Sequence, residues 1–84
     1  MEILTLENER RFGSNTITAC FQDGRKVLHE NAYQQVTQIL GLYLNQGYSA
    51  PQEEIGKFIN KVTVRLVDYD GMMRVKSSLV LMKN

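Results

Sequence analysis

The chain has little of the residue types from which disulfides and metal clusters are built. Its 84 residues include one cysteine (Cys20), one proline, one histidine and no tryptophan. A lone cysteine cannot form an internal disulfide, and this favours a reducing compartment, so we expect a cytoplasmic protein. The opening residues MEILTLENERR carry an acid at position 2 and only a short apolar stretch. We therefore expect no secretory leader and no membrane partner.

The sequence is also poor in catalytic signals. The pair Gly56-Lys57 lacks the preceding glycines of a phosphate-binding loop. One nucleophile and base, Cys20 and His29, would be diagonal neighbours on one sheet face if Cys20 pairs with Val27 in a first hairpin. No Asn or Asp is evidently placed to orient that histidine, and a buried thiol with a rim imidazole explains the pair as well. We expect a protein that is not an enzyme and that has no cofactor and no metal site.

What is present is typical of one small soluble domain. Hydrophobic residues make up 43% and charged residues 23% of the chain, so we expect residues 1–84 to fold around a single core. The net charge is only +1, but it is unevenly distributed. Residues 61–84 carry five Lys or Arg against two acids, whereas residues 1–60 carry five against seven. This asymmetry points to an acidic partner for the C-terminal segment, or to a solvated sheet face.

Alternating and β-branched residues predict strands in the first third. We expect a strand at residues 3–6 that ends in the polar run 7–11, and a turn at 12–15. A second strand over 16–22 returns through 25–29 by a turn at Asp23-Gly24. A two-residue turn there would pair Phe21 with Lys26 and Cys20 with Val27.

The central part of the chain shows helical periodicity. Apolar residues at i, i+3 and i+4 predict a helix over 32–46, with Asn31 and Gln34 as a capping box and Gly47 as a left-handed stop. A shorter helix is predicted over 51–60, with Glu53 and Glu54 in its first turn. The predicted fold is α+β, with a small antiparallel sheet of two hairpins and one long and one short helix packed on one face.

The last third predicts the second hairpin, about the turn dipeptide Asp70-Gly71. Counting outward from that turn pairs Val62 with Leu79 on an apolar face and Thr63 with Ser78 on the opposite face. That opposite face would also carry most of the positive charge. Tyr69 and Met72 at its tip are typical of the centre of a protein interface, although they could instead pack on the N-terminal segment. The predicted partner-binding residues are Lys61, Arg65, Tyr69, Met72, Arg74 and Lys76.

This patch predicts a small binding protein. A regulator, inhibitor or adaptor would dock its basic face and hairpin tip on an acidic protein surface, where the charges speed encounter. The alternative is an RNA- or DNA-binding protein that contacts phosphates with the same face and stacks Tyr69 on a base. A near-zero net charge favours the protein partner. A homodimer closed by the basic face or by a sheet edge is compatible with either function.

Overall fold

A computed structural model describes residues 1–11, 13–64 and 75–84, and it confirms the α+β fold. Four strands form one antiparallel sheet in the order β3-β2-β1-β4, and two helices of 13 and 12 residues follow β3. Among the described residues, neither helix is long and apolar enough to cross a membrane. The elements are β1 (Glu2–Arg11), β2 (Ser14–Phe21), β3 (Lys26–His29), α1 (Ala32–Leu44), α2 (Gln52–Thr63) and β4 (Val75–Lys83).

The central strand β1 is longer than the sequence predicted. We expected it to end at Leu6, but it continues through the charged run to Arg11. Successive side chains of a strand point to opposite faces, so Asn8 and Arg10 stay on the buried side while Glu7 and Arg11 remain exposed. The charged run is therefore a strand with a polar outer face.

The core lies between one face of the sheet and the two helices. The adjacent strands β1 and β4 supply Leu4, Leu6, Leu79 and Leu81, all less than 5% exposed. The helices bury their apolar stripes against these leucines, in keeping with the periodicity seen in the sequence. The helical core residues are Ala32, Val36, Ile39, Leu40, Tyr43, Phe58 and Val62.

The first hairpin has a three-residue loop, so the predicted two-residue turn is wrong. Phe21 N donates to Arg25 O at 2.8 Å, and Gly24 N donates to Phe21 O at 3.0 Å. Gly24 alone takes the left-handed conformation in this loop, with φ 92°, as in a turn followed by a glycine bulge. The register moves by one residue, and Cys20 pairs with Lys26 instead of Val27.

The helix ends differ from prediction at three points. Asn31 has φ 56° and makes no side-chain capping bond, so the predicted capping box is absent. Gly47 does adopt the left-handed conformation, with φ 99°, but α1 ends earlier, at Leu44. The second helix runs three residues beyond the predicted Asn60.

The longer α2 and the pairing of β4 change the predicted second hairpin. Lys61 and Val62 are helical, so they are not the strand partners of residues near Leu79. Instead β4 pairs with β1, and Leu79 lies opposite Leu6. The predicted turn at Asp70-Gly71 lies outside the described residues.

Candidate interaction surface

One face of the sheet is not covered by either helix, and we call it the open face. It consists of the side chains that alternate with the core positions on all four strands. Hydroxyl, charged and apolar residues share it. Its members are Ile3, Thr5, Glu7, Glu9, Arg11, Ser14, Thr16, Thr18, Cys20, Lys26, Leu28, Lys76, Ser78, Val80 and Met82.

The apolar end of the open face lies where β1 and β4 pair. Ile3 is opposite Met82 and Thr5 is opposite Val80. Val80 is 49% and Met82 44% exposed, and Ile3 is 37% exposed. Exposed apolar residues that occur singly are ordinary, but three that adjoin on paired strands form a contact patch.

The other end of the open face is charged. The Glu9 carboxylate lies 3.4 Å from Arg11 Nε and 3.8 Å from Lys76 Nζ, so two cations flank one acid. All three side chains are at least 37% exposed, so these ion pairs add little stability and the charges remain accessible to a partner. A shallow concavity of about 510 Å³ lies beside them, lined on this face by Glu7, Glu9, Thr16, Thr18, Leu28, Lys76 and Ser78.

The structure separates the two predicted site residues that it describes. Lys76 lies on the open face, whereas Lys61 is exposed on α2, which packs on the opposite side of the sheet. These two lysines therefore cannot share one flat patch. The predicted residues Arg65, Tyr69, Met72 and Arg74 lie outside the described residues.

The candidate nucleophile and base do not meet. His29 is paired with Ile17 and shares its helix-covered face, while Cys20 lies on the open face. Burial and the neighbouring Glu7 raise the pKa of the Cys20 thiol, which favours its protonated form. The His29 ring is instead hydrogen-bonded to the Tyr43 hydroxyl, with Nε2 and Oη 2.6 Å apart. This contact ties the edge strand β3 to α1.

A buried polar cluster, missed in the sequence, positions the end of α2. Arg10 is 7% exposed, and its Nη1 donates to the carbonyls of Lys61, at 3.3 Å, and Val64. Asn15, its cross-strand partner, donates to Val62 O at 2.9 Å. The last carbonyls of a helix lack partners within the helix and carry partial negative charge, so a guanidinium is well suited to them. The inward positions of β1 and β2 thus cap α2.

Within residues 1–11, 13–64 and 75–84, no group of three His, Cys, Asp or Glu side chains could hold an ion.

Comparison with known proteins gives no family model, no curated relative and no solved structure that matches the chain.

Proposed function

We propose that the chain is a small non-enzymatic binding protein, a regulator, inhibitor or adaptor, that docks an acidic protein surface on the open face of its sheet. The observation that carries this proposal is the patch of Ile3, Val80 and Met82, exposed on a sheet face that neither α1 nor α2 covers. Apolar contact supplies most of the affinity of such an interface, and the surrounding charges select the partner.

The charges of this face favour an acidic partner. Arg11, Lys26 and Lys76 lie on it, against the acids Glu7 and Glu9. Lys76 also belongs to the C-terminal segment, in which basic residues outnumber acidic ones five to two. An acidic rim on the partner would pair with these exposed cations and speed the encounter.

The chemistry of the open face favours a protein over a nucleic acid. Proteins that bind single strands on a sheet usually stack bases on exposed aromatic rings. At the described positions of the open face there is no aromatic ring, and β1, β2 and β4 present Thr, Ser, Val and Ile side chains among the charged residues. β-Branched and hydroxyl side chains are suited to a flat contact with another protein.

Two lysines of the predicted set provide a matched test. Lys76→Glu reverses one charge on the open face, and Lys61→Glu makes the same change on α2, across the sheet. We would tag the intact chain, capture bound proteins from the source cells under each substitution, and identify them by mass spectrometry. Circular dichroism spectra would verify that both variants fold.

The proposal expects a protein that the wild type and Lys61→Glu retain and that Lys76→Glu loses, with binding that weakens as salt is added. Retention by Lys76→Glu and loss by Lys61→Glu would place the docking surface on the helical side. Nuclease-sensitive material that absorbs at 260 nm, in place of a protein, would favour the nucleic-acid alternative.

A further inference from the structure

The outer edge of β3 has no partner strand among residues 1–11, 13–64 and 75–84. In the described part of the sheet β3 is the terminal strand, with β2 on its inner side. Phe21 and Arg25 form a hydrogen-bonded pair, and such pairs alternate along an antiparallel ladder. The backbone N–H and C=O groups of Lys26 and Leu28 therefore point away from β2. They are free to pair with another strand.

The side chains along this edge are apolar and exposed. Leu28 is 58% exposed on the open face, and Val27 is 38% exposed on the opposite face. Edge strands are usually protected by a charged residue, and Lys26 is such a residue. A partner strand must therefore offer an acid opposite Lys26 and an apolar residue opposite Leu28.

The edge of β3 itself meets both requirements. When two copies of β3 run antiparallel with Leu28 opposite Leu28 of the second copy, Lys26 lies opposite Glu30 of that copy. Glu30 follows β3 directly and is exposed. The residues whose backbone groups point outward then face one another, so the register allows up to about six interchain hydrogen bonds. The two-fold axis produces the Lys26–Glu30 pair twice.

We infer that the chain forms a homodimer by antiparallel pairing of its two β3 edges, centred on Leu28. The two sheets become one continuous eight-stranded sheet. Other registers that align the outward groups place Lys26 opposite Lys26 or Leu28, or Glu30 opposite Glu30 or Leu28, and all of them lose the charge pairing. The charges thus select one alignment.

The helix nearest this edge is suited to the same dimer. α1 packs against β2 and is tied to β3 by the His29–Tyr43 hydrogen bond, while α2 packs against β4. The sequence from 31 to 52, which includes all of α1, contains no charged residue. Two copies of α1 approach each other across the two-fold axis without like-charge repulsion, and exposed Tyr33 and Leu44 share one side of this helix. An uncharged helix surface carrying Tyr and Leu is typical of interface cores.

This dimer is compatible with the proposed function and does not depend on it. A two-fold axis perpendicular to the sheet leaves both open faces on the same side. Each copy keeps its patch of Ile3, Val80 and Met82, far from the β3 edge. Loss of the dimer therefore leaves docking on the open face to be measured separately.

A charge swap tests the register. Sedimentation equilibrium of the purified chain, from about 1 μM to about 1 mM, gives the dimer dissociation constant of each variant. Lys26→Glu and Glu30→Lys each place like charges opposite one another twice, so we expect each to raise the dissociation constant about tenfold or more. The double variant Lys26→Glu/Glu30→Lys restores opposite charges and is expected to return within about threefold of the wild type. Lys57→Glu, a reversal on α2, is the control and is expected to leave the constant unchanged.

A second variant tests the backbone pairing without changing charge. Leu28→Pro removes an N–H that points away from β2, so the β2–β3 ladder is preserved while the dimer edge is blocked. We expect this variant to be monomeric and folded by circular dichroism. A wild type that stays monomeric to about 1 mM overturns the inference. A dimer in which Lys26→Glu behaves like Lys57→Glu, or in which the double variant fails to recover, also overturns it.

Discussion

Arg10 provides the sharpest test of how the sheet positions α2. We expect Arg10→Ala to destabilise the protein strongly and Arg11→Ala to change stability by less than about 0.5 kcal/mol. The two arginines are adjacent in sequence, but Arg10 is 7% exposed beneath α2, while the Arg11 side chain is 58% exposed on the open face. The pair therefore compares an inward with an outward guanidinium on one strand.

The expected loss of stability in Arg10→Ala follows from the hydrogen bonds that Arg10 donates. Its Nη1 donates to two carbonyls at the end of α2, and a hydrogen bond from a charged donor contributes about 1.5 to 3 kcal/mol. Both carbonyls are partly buried, so they regain some water in the variant. We expect a loss of about 2 to 4 kcal/mol. For 84 residues the total stability should be about 4 to 12 kcal/mol, so the variant would be measurably weaker.

Urea denaturation followed by circular dichroism measures this difference directly. Arg10→Met is a useful companion because it keeps most of the aliphatic packing and removes only the donors. We expect Arg10→Met to lose about 1 to 3 kcal/mol. If Arg10→Ala and Arg11→Ala have the same unfolding midpoint, the capping of α2 by β1 is refuted.

Three further predictions concern the core, a turn and an edge histidine. Leu40→Ala should lower the free energy of unfolding by about 2 to 5 kcal/mol because it leaves a cavity in the core. Leu42 is 52% exposed on the same helix, so Leu42→Ala should lower it by less than about 0.5 kcal/mol in the same urea titration. Gly24→Ala should lower the free energy of unfolding by about 1 kcal/mol or more, because an alanine at φ 92° is strained. Gly56→Ala should raise the melting temperature, because a Cβ there meets open space and alanine has the better helix propensity. Burial lowers the pKa of His29, so the unfolded chain binds more protons as pH falls below 6.5, and thermal stability should decline on acidification. The thermal stability of His29→Gln should therefore fall less than that of the wild type between pH 7.5 and about 5.5. Identical pH profiles of the two proteins would contradict this prediction.

Much of the fold could be predicted because local sequence patterns indicate its helices and strands. The stripe through Val36, Ile39, Leu40 and Tyr43 is the buried face of α1, and Gly47 is left-handed as its position suggested. Residues near the end of α2 were ambiguous because Val62 fits both an alternating strand and a helical stripe. Its spacing of four from Phe58 was the signal for the longer helix.

Strand pairing and the polar cluster could not be predicted from local pattern. The register of β4 depends on which strand it meets, and only the fold brings Leu79 opposite Leu6. The charged run 7–11 suggested the end of a strand, although strict alternation along β1 was consistent with Arg10 pointing inward. Of the two predicted site residues that the structure describes, Lys76 lies on the open face, whereas the helical position of Lys61 places that residue across the sheet.

Site-specific photocrosslinking in the source cells measures docking on the open face most directly. A benzophenone amino acid would replace Val80 on the open face and, as the control, Asn60 on the exposed side of α2. We predict a discrete adduct with another polypeptide from position 80 and none from position 60. An adduct that forms only from position 60, or equally from both positions, would contradict docking on the open face.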